Sequence, residues 1–176
     1  HTAAQTAVTT SLSDPIKDFE VNALGTLNVL EAIRRSKADV DFVGCSTNKV
    51  YGGNVNGIEV DEMGRRYSVR GDYHNGIPEG FPIDHCEHTP YGCSKLAADL
   101  YIQDYAQTYG LRAAAFRMSC IYGERQFGVE DQGWLAWFAI ATILGKPITI
   151  YGTGKQVRDV LYVGDLVRAF HAFLQG

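Results

Sequence analysis

The sequence has little of what a membrane span, a disulfide framework or a nucleic-acid-binding surface requires. No apolar run approaches the roughly 20 residues that cross a bilayer, and no stretch has the pattern of a signal peptide. The four cysteines, Cys45, Cys86, Cys93 and Cys120, stand far apart, unlike those of a disulfide-stapled domain. The net charge is −4, and the scattered Lys and Arg residues form no basic stripe. We therefore predict a cytoplasmic protein with no membrane partner and no nucleic-acid partner.

A metal site is also not expected. The segment His85-Cys86-Glu87-His88 is the one cluster that resembles metal ligands, but no second ligand pair follows at the spacing of a zinc site. We interpret it as a polar loop and predict no bound metal. The 176 residues, 45% of them hydrophobic, suffice for one ordinary globular domain. Because residue 1 is His rather than Met and the chain starts abruptly, we expect a fragment of a longer protein.

Hydrophobic periodicity predicts alternating helices and strands. Asp14 and Pro15 provide a helix N-cap and first position, and an apolar stripe at helical spacing follows. The segment 52–82 has no sustained period, and a loop of this length usually borders a functional cleft. The order of elements predicts an α/β fold with a parallel sheet. The predicted elements are helix 15–37, strand 41–46, helix 91–109, strand 111–118, helix 134–144, strand 148–152 and helix 163–174.

Tyr91 and Lys95 are the most informative pair in the sequence. Their four-residue spacing places a phenol and an ammonium on one face of a predicted helix. At about 4 Å and an effective dielectric near 20, the ammonium favours the phenolate by roughly 4 kcal/mol, about three pK units. We therefore expect the pKa of Tyr91 to fall far enough for the phenol to act as a base. The alternative is an ordinary solvated pair at a helix start.

Three other residues each have two possible interpretations. Thr47 follows a predicted buried strand, where its hydroxyl can polarise a ligand oxygen at the carboxyl edge of the sheet or simply form a turn. Considered without any family, Asn22 is an ordinary polar helix residue about as readily as a functional one. On the same terms, Arg158 is more readily a surface partner of Asp159 than a functional residue. Trp134 and Trp137 share one helix face and favour packing over nucleotide stacking.

Five segments in order resemble the extended short-chain dehydrogenase/reductases, the NAD-dependent epimerase/dehydratase family. The resemblance covers nearly the whole chain and implies a Rossmann-like, doubly wound parallel sheet with part of a smaller substrate-binding lobe. We expect residues 1–123 to be the C-terminal part of the NAD-binding domain and residues 124–176 to begin the substrate-binding region. The segments are His1-Thr2-Ala3-Ala4, Asn22 to Leu30, Ser46-Thr47 with Tyr91-Gly92-Cys93-Ser94-Lys95, Arg117 to Gly123, and Gly152 to Val160.

The resemblance implies a role for each matching residue. Thr47, Tyr91 and Lys95 correspond to the catalytic triad. The implied cofactor is NAD, and the implied partner is a nucleotide-diphosphate sugar. The residues implied to contact NAD are Ala3, Ala4, Gln5, Asn22, Tyr91, Lys95 and Ser119. The residues implied to contact the substrate are Thr47, Arg125, Gln126 and Arg158.

Within the family, the sequence is most similar to members that epimerise C2 of CDP-paratose, through Ser46 to Gly52, Tyr91 to Lys95 and Arg125 to Trp134. This likeness implies a transient 2-keto sugar with the hydride held on bound NAD, and a role in lipopolysaccharide O-antigen biosynthesis. The related 4,6-dehydratases have Asp-Glu after the catalytic Thr, whereas Asn48 and Lys49 stand here, so no acid is expected for dehydration. A homo-oligomer is also expected.

Two departures from the family pattern keep alternatives open. The first strand and glycine-rich turn of the family would precede His1, so we expect this chain alone to bind NAD poorly and to be inactive. Cys120 stands where several epimerases have a substrate-contacting asparagine. The alternatives are a UDP-sugar 4-epimerase and a non-catalytic relative that senses NAD or binds a protein partner.

Overall fold

A pair of parallel strands with helices on both faces forms the centre of the computed structural model, which describes residues 1–176. Strand β1 (Phe42–Thr47) pairs in parallel with β4 (Ala113–Met118), and Phe42 lies opposite Ala113 and Thr47 opposite Met118. Between these strands in sequence lies α4 (Pro90–Tyr109), the crossover helix that parallel neighbours require. The α/β fold with a parallel sheet is therefore confirmed.

The N-terminal half of the chain supplies the helical layer on one side of the sheet. Helix α1 (Val8–Ser13) precedes a continuous helical segment in which α2 (Pro15–Phe19) passes through a π-helical turn (Glu20–Leu24) into α3 (Gly25–Ser36). The Asp14 side chain accepts a hydrogen bond from the Lys17 N–H, as the sequence predicts for an N-cap. The π turn, which the periodicity does not reveal, contains the buried Asn22.

The core lies where α3 and α4 meet the strands. Leu30, Phe42, Ile102 and Tyr105 form its buried cluster. Gly44 permits the close approach of α4, because a Cβ built on Gly44 would lie 2.3 Å from the Cδ1 atom of Ile102. On the opposite face of β4, Phe116 makes an edge contact with Phe170 at 4.9 Å between ring centroids. Helices thus cover both faces of the strand pair.

The segment between β1 and α4 is more structured than its composition predicts. A 3₁₀ segment (Asn48–Gly57) follows β1 directly, and β2 (Val60–Glu62) pairs with β3 (Tyr67–Val69) as an antiparallel hairpin. A second 3₁₀ turn spans Gly71–Tyr73. The hairpin contacts a distant part of the chain, since Lys155 and Glu62 form an ion pair at 2.6 Å.

The C-terminal part corrects one predicted strand. The segment 148–152 forms no strand, and its Ile150 and Tyr151 are exposed. Instead, β5 (Cys120–Tyr122), which lies within the Arg117 to Gly123 segment that the family resemblance identifies as a strand, pairs in parallel with β6 (Val160–Tyr162), which the sequence does not predict. Helices α5 (Trp134–Ile143) and α6 (Val163–Gln175) confirm the predicted last two helices. The division at residue 123 stays a prediction. No helix combines the length and the apolar character needed to cross a membrane.

Candidate active site

Thr47, Tyr91 and Lys95 meet at the carboxyl end of β1. Thr47 is the last residue of β1, and α4 begins at Pro90, after an N-cap in which the Thr89 hydroxyl accepts a hydrogen bond from the Gly92 N–H at 3.3 Å. The Thr47 hydroxyl lies near the Tyr91 phenol and lowers its pKa. Lys95, one turn further along α4, is only 7% exposed. The tertiary structure therefore rules out the alternative of a solvated surface pair.

The expected fall in the pKa of Tyr91 is wrong for the chain as it stands. Burial raises the pKa of Tyr91 above its ordinary value, the Thr47 hydroxyl opposes this rise, and the charge of Asp18 adds to it. Burial also lowers the pKa of Lys95, against opposing contributions from Cys45, Asp18 and Asp99. The sequence argument assumed two exposed groups, whereas desolvation dominates here because both groups lie inside the fold.

The chemistry of Lys95 fits the ribose of a dinucleotide. Its Nζ atom donates one hydrogen bond within the chain, to the backbone carbonyl of Cys45 at 2.5 Å. An ammonium has three N–H donors, so two remain for the vicinal hydroxyls of a ribose. Ala3, a predicted NAD contact, lines the same small cavity as Lys95. Ala4 is half-buried in the adjoining segment.

Asn22 and Gln5, two more predicted NAD contacts, belong to a buried polar network centred on Asp18. The Asn22 side chain exchanges hydrogen bonds with the backbone of Gln5, at 2.9 and 3.1 Å, and donates to the Ser94 hydroxyl at 3.1 Å. The Gln5 amide donates to Asp18 at 2.7 Å. Both side chains therefore order the segment beside Lys95. The sequence reasoning missed Asp18, although its position one turn before Asn22 is a usable signal.

A second buried network lies one turn beyond Lys95. Asp99 is fully buried and receives two hydrogen bonds from Arg117, at 3.0 and 3.1 Å. It also accepts from the Ser46 hydroxyl at 2.5 Å. Arg117 extends over the ring of Tyr51 and donates a hydrogen bond to the Glu79 carbonyl at 2.9 Å. The carboxylate of Asp99 holds the pKa of Arg117 above the ordinary range. The network ties β1, α4, β4 and the segment after β1 together.

Ser119 lies at the edge of the site through Asn48. The Asn48 amide donates to the Ser119 hydroxyl at 3.3 Å, and Thr47 contacts the Asn48 side-chain oxygen at 3.4 Å. Ser119 in turn donates to the Asp159 carbonyl at 2.8 Å. These bonds connect the end of β1 to the segment that carries Arg158.

The predicted substrate contacts Arg125, Gln126 and Arg158 form no hydrogen bond with Thr47, Tyr91 or Lys95. Arg158 is exposed and makes no ion pair with Asp159, so the surface-pair alternative is not observed. The Gln126 amide donates to the Ile121 carbonyl at 3.1 Å, while its oxygen is buried without a partner. Arg125 is exposed, with a left-handed backbone (φ 65°).

The two tryptophans of α5 make packing contacts. Trp134 packs edge-on against Phe138, and Lys146 lies over the Trp137 ring at 5.9 Å. Both contacts agree with the interpretation that this helix face is used for packing.

The sequence matches the NAD dependent epimerase/dehydratase family over residues 1–176, and the chain belongs to that family. The family resemblance drawn from the motifs is thus confirmed, and the family's cofactor is NAD. The fold agrees, since the chain superposes on a UDP-glucose 4-epimerase from Thermus thermophilus in complex with NAD. That alignment has a TM-score of 0.76 and 35% identity, and covers 98% of this chain and 51% of the other.

Two further relatives mark the range of the similarity. The chain is 45% identical to CDP-paratose 2-epimerase from Salmonella typhi, over 99% of this chain and 52% of the relative. A dTDP-glucose 4,6-dehydratase from Streptomyces venezuelae, solved with NAD bound, aligns with a TM-score of 0.73 and 26% identity over 100% of this chain and 47% of the other. The chain spans about half the length of the relatives it matches.

Proposed function

We propose that the protein containing this chain is an NAD-dependent nucleotide-sugar epimerase, and that its substrate is CDP-paratose, epimerised at C2. The observation that carries the proposal is the meeting of Thr47, Tyr91 and Lys95 at the carboxyl edge of β1. Open α/β sheets bind their ligands at this edge. The 45% identity to a CDP-paratose 2-epimerase supports the choice of substrate.

The side chains divide the chemistry of epimerisation among them. NAD, when bound, accepts a hydride from the sugar carbon and returns it. Tyr91 removes the proton from the hydroxyl on that carbon and later restores it. Thr47 hydrogen-bonds the same oxygen while its charge changes, and Lys95 orients the ribose and stabilises the phenolate.

The raised pKa of Tyr91 sets a condition on this mechanism. Because a phenol of ordinary pKa is already protonated at neutral pH and burial raises the pKa of Tyr91 further, the base must form when cofactor and substrate assemble on the site. We expect Lys95 and Thr47 to stabilise the phenolate at that moment. Arg158, exposed and unpaired, suits the substrate diphosphate because its planar fork can bond two phosphate oxygens.

The residues after Thr47 favour epimerisation over dehydration. Removal of water from a sugar needs a carboxylic acid beside the leaving hydroxyl, but the Asn48 amide links Thr47 to Ser119 instead. Lys49 contacts the Thr47 hydroxyl only through its backbone N–H, which donates a hydrogen bond to the hydroxyl oxygen at 3.3 Å. We therefore expect no dehydrated product from a 4,6-dehydratase substrate.

The substrate is tested with the full-length protein. We expect turnover of CDP-paratose and none of UDP-glucose or UDP-galactose in a panel of CDP- and UDP-sugars followed by chromatography and NMR. Turnover of UDP-galactose alone would instead favour the UDP-sugar 4-epimerase alternative. NAD binding without turnover of any sugar would favour the non-catalytic relative.

The role of Tyr91 is tested with Tyr91→Phe. Loss of the proton-transfer group should lower kcat about 10²- to 10⁴-fold while the fold persists. Tyr101→Phe is the matched control, because Tyr101 lies on the same helix and is 42% exposed. Unchanged epimerisation in Tyr91→Phe would refute the mechanism.

A homo-oligomeric state and a cytoplasmic location stay predictions.

A further inference from the structure

A carboxylate with no cationic partner lies behind the catalytic pair. Asp18 in α2 is 0% exposed, and none of the ion pairs of the chain includes it. Its oxygens accept hydrogen bonds from three neutral donors: the Gln5 amide at 2.7 Å, the Asn22 amide at 3.3 Å and the Ser94 hydroxyl. Burying a carboxylate is costly unless its oxygens are hydrogen-bonded, and here donors reach both oxygens.

The network reaches the catalytic helix through Ser94. This residue is adjacent to Lys95 in sequence, and its hydroxyl lies 3.1 Å from the Tyr91 carbonyl. The charge of Asp18 therefore acts on Tyr91 and Lys95 from within the fold, where water screens it little. The same carboxylate fixes Gln5, which adjoins the Ala3 and Ala4 segment beside Lys95.

We propose that Asp18 is a positioning residue of the active site, whose buried carboxylate holds α2, the N-terminal segment and α4 together behind Tyr91 and Lys95 and acts on both through its negative charge. The proposal deepens the proposed function and rests on it. Geometrically, Asp18 joins α2, the N-terminal segment and α4 behind the two reacting side chains. Electrostatically, its charge favours the ammonium of Lys95 and disfavours the phenolate of Tyr91.

The pKa directions agree with this arrangement. Burial raises the pKa of Tyr91, and Asp18 raises it further. Burial lowers the pKa of Lys95, and Asp18 is among the groups that oppose this fall. A neutral residue at position 18 should therefore lower both pKa values. The titratable or charged groups around the pair are Asp18 on α2, Cys45 on β1, Asp99 on α4, Arg117 on β4 and His1 in the N-terminal segment.

The test compares Asp18→Asn with the wild type in the full-length protein. Asn can accept from Gln5 and donate to Ser94, so the hydrogen bonds can be kept while the charge is removed. We expect the acid limb of the kcat profile, governed by Tyr91, and its alkaline limb, governed by Lys95, both to move to lower pH by about half a unit or more. A purely structural role would lower the rate and leave both limbs in place.

Asp14→Asn is the matched control. Asp14 is exposed at the N-cap of the same helix, the charge change is identical, and Asn caps a helix as well as Asp does. Both limbs should stay in place in this variant. A shift equal to that of Asp18→Asn would refute a specific role for Asp18.

A second readout separates the inference from the proposed reaction. NMR titration of the Lys95 side-chain resonances, without any sugar substrate, should give a lower pKa in Asp18→Asn than in the wild type. An unchanged Lys95 pKa overturns the inference, whatever the substrate proves to be. If Asp18→Asn does not fold, Asp18→Ser replaces it, and failure of both neutral variants to fold would show a folding role and also overturn the inference.

Discussion

The buried ion pair of Asp99 and Arg117 allows a quantitative prediction for Arg117→Met. Removing the guanidinium takes away both of its hydrogen bonds to Asp99, whose side chain is 0% exposed. Breaking one partner of a buried pair costs about 3–5 kcal/mol, because the other charge is left uncompensated. The Arg117 side chain retains 16% exposure, and Asp99 keeps the hydrogen bonds from Ser46 and Gln103. We therefore expect the free energy of unfolding to fall by about 3 kcal/mol, which is near the lower end of that range.

Urea denaturation of the full-length protein, followed by fluorescence, measures this loss. With a slope of about 2 kcal/mol/M, the midpoint should fall by about 1.5 M. The matched control is Arg168→Met, which removes an exposed arginine paired with Asp165, with 72% and 52% side-chain exposure. Its cost should stay below about 1 kcal/mol.

A double variant tests whether the loss comes from the unpaired charge. In Asp99→Asn combined with Arg117→Met, neither partner leaves a buried charge behind, so the cost should be less than the sum of the two single costs. Additive costs, or an Arg117→Met midpoint equal to that of Arg168→Met, would refute the reasoning.

Two further predictions concern the acid range and the substrate. Hydrogen bonds from Arg34 and Tyr105 lower the pKa of Glu31 from 4.5 to about 2, so this contribution to stability is present above pH 4.5 and lost as the pH falls towards 2. Glu31→Gln should flatten that part of a plot of the urea midpoint against pH, and an unchanged slope would contradict the assignment. Arg158→Lys should raise KM for the nucleotide sugar about tenfold with little change in kcat, since Lys cannot bond two phosphate oxygens in the same plane. Steady-state kinetics measures this change, and an unaltered KM would remove Arg158 from the substrate site.

Much of the fold follows from local sequence signals. The Asp14-Pro15 start and the apolar stripe specify the long N-terminal helical segment, and Gly110, with φ at 67°, ends α4 as predicted. The wrong strand at 148–152 has a different origin. Its Ile-Thr-Ile pattern favours an extended chain, but no neighbouring strand is available there. The three-residue β6 forms because β5 supplies a partner.

The site shows the same division between local and tertiary causes. The Tyr91 and Lys95 spacing fixes their shared helix face, and the family motifs predict Thr47 as the third group. Sequence alone gives the wrong direction for the Tyr91 pKa, since it cannot show how far burial removes the phenol from water. Asp18 was missed for a related reason, because its partners Gln5 and Ser94 lie 13 and 76 residues away along the chain.

The sequence by itself determined the class of this protein: a member of an NAD-dependent family with a Tyr-x-x-x-Lys helix and a Thr at a strand end that is followed by Asn48 and Lys49. These features are local, and spacing along a helix or a strand is enough to specify them. Only the tertiary structure decided the electrostatic setting of Tyr91 and Lys95. Burial and the approach of Asp18 depend on how α2, α4 and β1 pack together, and the protonation of a side chain follows from those surroundings.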